Sequence, residues 1–245
     1  MYPGTQYFGT SRHEMEFLTR HGVTHFDATV DGYDSDTLAR HKDEAAKHGV
    51  ELEMIHIPWQ DSIGLADEGR DEAIDNVCQW IENAAKAGLR GLNYNFLVLR
   101  ASEGAGGGVQ RTARRPGRGG STYSSFVLAE YDNDKRYAAG EVSREESFER
   151  AKYFVERIMP VADANNIQMA CHLNDPPSQV LNGVEKWNFP VFDGLKRFSE
   201  LVDSPNHGFN FCCGVASEGL EDPGKELPAI VKYFAERKKI FNVHF

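Results

Sequence analysis

Cysteine is scarce: four in 245 residues (Cys78, Cys171, Cys212, Cys213), two of them adjacent. That excludes a disulfide framework of the kind that staples small secreted domains, and leaves reduced thiols or metal ligands. Long apolar runs are missing too, and none approaches the ~18 to 20 residues a membrane span requires. The opening stretch "MYPGTQYFGTSRHE" has no basic flank ahead of an apolar segment, so no secretory signal is expected and the cytoplasm is the expected compartment. Positive charge is in deficit: 27 Lys and Arg against 37 Asp and Glu give a net charge of −10, which argues against a general nucleic-acid binder because a polyanion is repelled over most of the surface. Finally, "FGTSRHE" after the first strand-like run has no G-x-G-x-x-G, the fingerprint of an open dinucleotide-binding sheet.

What is present is ordinary for a globular protein, with 40% hydrophobic and 26% charged residues. The length suits one large domain, 1–245, with a well-buried core. One unit recurs along it: a β-rich run, a loop, an amphipathic helix, then Gly or Asn before the next run. "TQYFGT" leads to "SRHEMEFLTRHG", where Ser11 is placed to cap and Gly22 to terminate. "VTHFDATV", "VELEMIHIPW" and "LRGLNYNFLVL" are each followed by a helical pattern, the first two of these ending at Gly49 and Gly88. "IQMACHL" and "GFNFCCG" repeat the theme, and "IFNVHF" is a seventh run. Strict β-then-α alternation with near-continuous apolar strands predicts a parallel sheet covered by helices. Polar residues gather at the C-terminal ends of the runs (Asp27, His56, Tyr94 with Asn95, His172, Cys212, His244), as they do at the mouth of a closed (β/α)8 TIM barrel. The expectation is therefore an α/β TIM barrel, truncated after its seventh strand.

His172, Cys212 and His244 end three consecutive runs. Neighbouring strands lie ~4.8 Å apart, so side chains from such ends can meet, and imidazole with thiolate suits Zn, Fe or Mn-type ions. Read singly, each has a blander explanation: a structural or substrate-contacting histidine, a cysteine buried as a small hydrophobe. Only one of Cys212 and Cys213 can point inward, and spacing does not say which; by the same alternation Cys171 should face the helices.

The segment 97–142 is expected to be a long, structureless insertion. It carries "GAGGG" at 104–108 and then "RTARRPGRGGSTYSSF", with Arg111, Arg114, Arg115 and Arg118 unrelieved by any acid. One reading is a lid whose guanidinium groups, Arg111, Arg114 and Arg118, grip a carboxylate substrate. Another is a solvated basic loop; an RNA-contacting segment is disfavoured by the global charge. His56, Tyr94 and Asn95 are further candidate substrate contacts, with ordinary loop-start hydrogen bonding as the alternative.

Together "ACHLNDPP", "GFNFCCG", "EGLEDPGKELPAIVKYFAERKKIFNVHF" and "RTARRPGRGGSTYS" resemble the D-mannonate dehydratase family of the TIM-barrel, xylose-isomerase-like superfamily, from about the third strand onward. The resemblance implies loss of water from D-mannonate to give 2-keto-3-deoxy-D-gluconate. It also implies a divalent cofactor, Mn2+ or another ion such as Fe2+, held by His172, Cys212 (the member of the pair followed by one residue and then Gly214) and His244, with an aspartate ligand and the acid-base residues beyond Phe245. Leu173 and Asn174 depart from the family's Pro-Asp at those positions. The expected partner is a small sugar acid, with no nucleic acid or membrane, in a homo-oligomer. The alternatives are an isomerase or epimerase on the same barrel, or an inactive remnant that still binds a ligand.

Overall fold

A computed structural model of the chain describes residues 2–99 and 111–245, and the glycine run at 104–108 lies outside the described residues. The repeating unit folds as its period dictates. Strand β1 (Gly4–Phe8) is followed by α1 (Arg12–Arg20), β2 (His25–Ala28) by α2 (Ser35–Lys47), and β3 (Glu51–His56) by α3 (Asp61–Leu65) and α4 (Arg70–Lys86). Then come β4 (Gly91–Asn95), β5 (Ala113–Pro116), β6 (Thr122–Ser125), α5 (Arg144–Asn165) and β7 (Gln168–His172). The chain continues through β8 (Val180–Leu181), β9 (Val184–Glu185), α6 (Val191–Ser199), β10 (His207–Cys212), α7 (Cys213–Glu218), α8 (Pro223–Glu236) and β11 (Ile240–His244).

The helix boundaries are written locally. Ser11 caps α1 in a reciprocal capping box with Glu14, Asp34 accepts from the Thr37 N–H at the head of α2, and Ser143 accepts from the Glu146 N–H at the head of α5. Gly22 and Gly49 stop α1 and α2 at φ +71° and +72°; a Cβ there would meet nothing within 4 Å, so the left-handed backbone is what requires glycine. Asn166 plays the same part after α5 at φ 53°.

Seven strands form one parallel sheet in the order β1-β2-β3-β4-β7-β10-β11. Each neighbours the next barrel strand in the chain, and the sheet curls far enough that Gln6 of β1 donates across the interior to Asn210 of β10 at 3.0 Å. The described strands are thus seven staves of a TIM-barrel wall, curled into an open half-barrel. Helix α5 anchors the outer layer, where Phe154 meets Trp59, Tyr94 and Phe96 with ring centroids 5.6, 5.7 and 6.3 Å away. Among the described residues no helix is long and apolar enough to cross a membrane.

The expectation of a structureless segment after β4 is corrected over its described part. Strands β5 and β6 pair as an antiparallel hairpin, with Arg114 donating to Thr122 Oγ1 at 2.8 Å and Arg115 forking onto Glu130 at 2.8 Å on both oxygens. Arginines and glycines hid it, because the strands lack the apolar alternation by which a hairpin is recognised. The loop after β7 holds a second small hairpin, β8 with β9.

Candidate metal centre

Because side chains alternate along a strand, the residue that ends each stave inherits its direction from the pleat. Asn93 and Asn95 of β4, His172 of β7, and Asn210 and Cys212 of β10 form polar contacts inside the half-barrel. Their neighbours face the helices. Tyr94 is fully buried, edge-on to Phe154, which removes it from the expected set of substrate contacts. Cys171 lies fully buried beside it, and burial pushes its thiol up to about 12, so it stays a thiol.

His172, Cys212 and His244 each present one donor atom, and the three atoms lie within 4.8 Å of one another. The strand register does not put them in one row: Cys212 sits opposite His244, but His172 sits opposite Asn210. Strand tilt in a curled sheet brings the staggered ends together. Donors bound at 2.0–2.3 Å to a tetrahedral ion stand roughly 3.6 Å apart, so the cluster needs only small adjustments to close on one.

The protonation pattern also suits an ion. His172 Nδ1 lies 2.7 Å from the carbonyl oxygen of Leu173, which can only accept, so Nδ1 carries the proton and Nε2 its lone pair. That lone pair faces His244 Nδ1 at 3.1 Å. Burial first, and His244 second, push the His172 pKa down to about 4, leaving a neutral imidazole at neutral pH. The support is a backbone carbonyl, so the departure at Leu173 from the family's proline leaves it intact. Cys212 Sγ accepts the Val215 N–H at 3.4 Å; burial raises its thiol, while the Val215 and Gly214 N–H groups oppose the rise. Cys213 begins α7 and packs half-buried against the core. The donor set therefore fits a borderline divalent ion.

Around the cluster lie further polar groups. Asn95 Nδ2 is 3.4 Å from His56 Nε2, and burial pushes His56 down to about 4, so it too is neutral. Asp27 on β2, 3% exposed, accepts from Asn93, and burial pushes its carboxyl up to about 7.

Asp175, three residues past His172, links the mouth to its surroundings. Arg111 grips it bidentately at 3.1 and 2.7 Å, and its charge also acts on His172, Cys212, Glu218 and Lys186. Of the three arginines expected to bind substrate, Arg111 alone is tied to this region, and its fork is already occupied by Asp175. Arg114 bonds within the hairpin, and Arg118 is exposed at the hairpin turn. Asp175 and Lys186 went unrecognised in the sequence. The "HLNDPP" stretch held a clue to the first; nothing local marks the second.

A family model described as D-mannonate dehydratase (UxuA) matches residues 23–103 and 128–245. The chain is 27% identical over 242 residues to mannonate dehydratase 2 of Halalkalibacterium halodurans, covering 89% of this chain and 68% of that protein. It is 30% identical to the mannonate dehydratase of Enterococcus faecalis, covering 80% of this chain and 59% of that one. This chain thus spans about three fifths to two thirds of the length of such relatives. The crystal structure of mannonate dehydratase from Streptococcus suis superposes with a TM-score of 0.82 at 22% identity, covering 100% of this chain and 73% of that one. A xylose isomerase domain protein from Planctomyces limnophilus superposes at 0.58 with 11% identity, covering 99% and 73%; at these identities both show the fold alone. The family match, over most of the chain and including all three donor residues, shows that the chain belongs to the D-mannonate dehydratase family.

Proposed function

We propose that this chain serves the dehydration of D-mannonate to 2-keto-3-deoxy-D-gluconate with a divalent ion, manganese in the first instance, held by His172, Cys212 and His244. The observation that carries the reading is the convergence of their three donor atoms within 4.8 Å, with the His172 tautomer set by the Leu173 carbonyl. Relatives named mannonate dehydratase support the substrate.

The reaction removes the proton on C2, alpha to a carboxylate, and expels a hydroxyl as water. That proton is weakly acidic, and an ion held by His172, Cys212 and His244 would supply Lewis-acid stabilisation of the charge that develops as it leaves. The chain's own residues bind and orient. His56, kept neutral by burial and adjacent to Asn95, offers the substrate hydroxyls a polar edge without a competing charge. Arg111, forked onto Asp175, holds that carboxylate in place three residues from His172. The cytoplasm is the proposed setting, since the four cysteines are free thiols.

The test is to purify the chain, measure bound manganese by elemental analysis, and follow keto product with semicarbazide on addition of D-mannonate. Metal retention with product formation is expected. A chain that holds no divalent ion overturns the metal reading, and one that holds the ion without turnover overturns the dehydratase reading.

A further inference from the structure

Away from the metal cluster, three side chains of the first two strand-to-helix connections are linked in series. Thr10 follows β1, Asp31 follows β2 and His41 lies on α2, so the group stands on the face where the parallel strands end. His41 Nε2 is 2.6 Å from Asp31 Oδ1, and His41 Nδ1 is hydrogen-bonded to Thr10 Oγ1. A carboxylate oxygen only accepts, so Nε2 carries the ring proton and Nδ1 offers its lone pair to the hydroxyl. Thr10 thus donates its O–H to a base whose far side is held by an acid.

The trio is fixed without being sealed. His41 is 7% exposed and both of its ring nitrogens are engaged, which holds the ring in place. Arg40 Nη2 meets the same Asp31 oxygen at 3.2 Å. The His41 hydrogen bond first, and the Arg40 charge after it, keep the Asp31 carboxyl below its ordinary range, so it is ionised at neutral pH. Thr10 is only half-buried, which leaves its oxygen within reach of a small molecule. Side-chain hydroxyls that merely brace a fold mostly bond to backbone, as Thr19 does to the Met15 carbonyl at 2.9 Å. Thr10 instead meets the side chain type that exchanges a proton near neutral pH.

The surroundings also suit the negative charge of an attacked carbonyl. Thr10 immediately precedes Ser11, the cap of α1, so the positive end of that helix begins next to the hydroxyl. Glu14, the acid of the same capping box, is already taken up by the Gly9 and Ser11 N–H groups at 2.9 and 3.1 Å. The N–H groups of Arg12 and His13, which open the helix and have no acceptor within it, remain for an oxyanion.

We propose that Thr10, His41 and Asp31 form a nucleophilic site that accepts the acyl group of a small activated ester. The bond from Thr10 Oγ1 to the acyl carbon forms as the ester C–O bond breaks. His41 Nδ1 takes the hydroxyl proton and passes it to the departing alcohol, while Asp31 stabilises the imidazolium in between. No residue of the metal cluster takes part, so the site stands whether or not that cluster holds an ion.

The experiment is to treat the full chain with 4-nitrophenyl acetate in mildly alkaline buffer, follow nitrophenolate release, and map the acetyl groups by peptide mass spectrometry. Mapping is needed because the free thiols Cys78 and Cys213 react with the same reagent. Acetyl on Thr10, formed faster than on any other hydroxyl of the chain, is the expected result. Thr10→Val should abolish the release that exceeds the thiol background, and His41→Gln should slow labelling of Thr10 about 100-fold. Acetyl confined to cysteine and lysine overturns the proposal, as does labelling of Thr10 at an undiminished rate in His41→Gln. Should either variant not fold, the map of the wild-type chain decides alone. Because the label is read at Thr10, its failure leaves the metal reading standing.

Discussion

Replacing Cys212 by alanine should remove most of the stabilisation that a divalent ion gives this chain, and the same change at Cys213 should remove none of it. Sγ of Cys212 is one of the three converging donors, whereas Cys213 is the first residue of α7 and packs against the core. Losing a group that merely orients a ligand weakens metal binding by about 10–100-fold, so loss of the thiolate itself should cost at least ~100-fold. An ion at ~100 times its Kd stabilises the native chain by about 2.7 kcal/mol, and after a 100-fold loss of affinity the same concentration gives only ~0.4 kcal/mol. For a chain of this size each kcal/mol moves Tm by about 2–4 °C. The manganese-dependent rise in Tm should therefore fall from roughly 5–11 °C to about 1–2 °C. The metal-free baseline shifts as well, because Cys212 Sγ accepts the Val215 N–H at 3.4 Å and losing a cap costs ~1 kcal/mol. The quantity to compare is the difference between melts with and without manganese, by scanning calorimetry. A full manganese shift in Cys212→Ala, or its loss in Cys213→Ala, refutes the assignment.

Asp27 makes the fold pH-dependent, since its carboxyl moves from 3.8 unfolded to about 7 folded. A raised carboxyl pKa means the folded state holds the proton more tightly: the contribution is complete below about 4 and is lost as pH rises through about 7. Asp27→Asn should flatten that slope, worth a few kcal/mol in order of magnitude, and urea midpoints at pH 5 and 8 measure it; parallel wild-type and variant curves contradict the burial argument. Gly64→Ala tests the packing of α3 on the strand-four loop, because a Cβ there would lie 1.7 Å from the Leu97 carbonyl oxygen. The variant should lose at least ~1–3 kcal/mol in urea unfolding, and a neutral result means that α3 does not approach the loop so closely.

Much of this protein was legible in its residues because the signals are local. Ser11, Asp34 and Ser143 start helices, and Gly22, Gly49 and Asn166 end them, through bonds and dihedrals spanning only a few residues. The polar residues at the strand ends follow from the two-residue pleat, which places whatever follows the last apolar position at the barrel mouth. The β5–β6 hairpin escaped because its pairing rests on polar cross-strand bonds such as Arg114 to Thr122. Tyr94 and Asn95 looked equivalent in the sequence, yet adjacent strand residues point oppositely, and it took Phe154 packing on the outer face to show which was which. Arg111 looked like a hand held out for substrate until Asp175, 64 residues on, was seen to hold it.

The sequence alone determined the parallel α/β wall and the three donor-bearing strand ends, because hydrophobic period and capping chemistry act over single turns and single pleats. The tertiary structure alone decided that His172, though out of register with Cys212, meets it and His244 within one small volume. It also decided that Lys186, an ordinary surface residue by composition, is buried beside a cavity. The physical reason is the same in both cases: strand tilt and the folding of one loop over another set distances between residues far apart in the chain, and those distances, together with exclusion of water, fix what a polar side chain can bind.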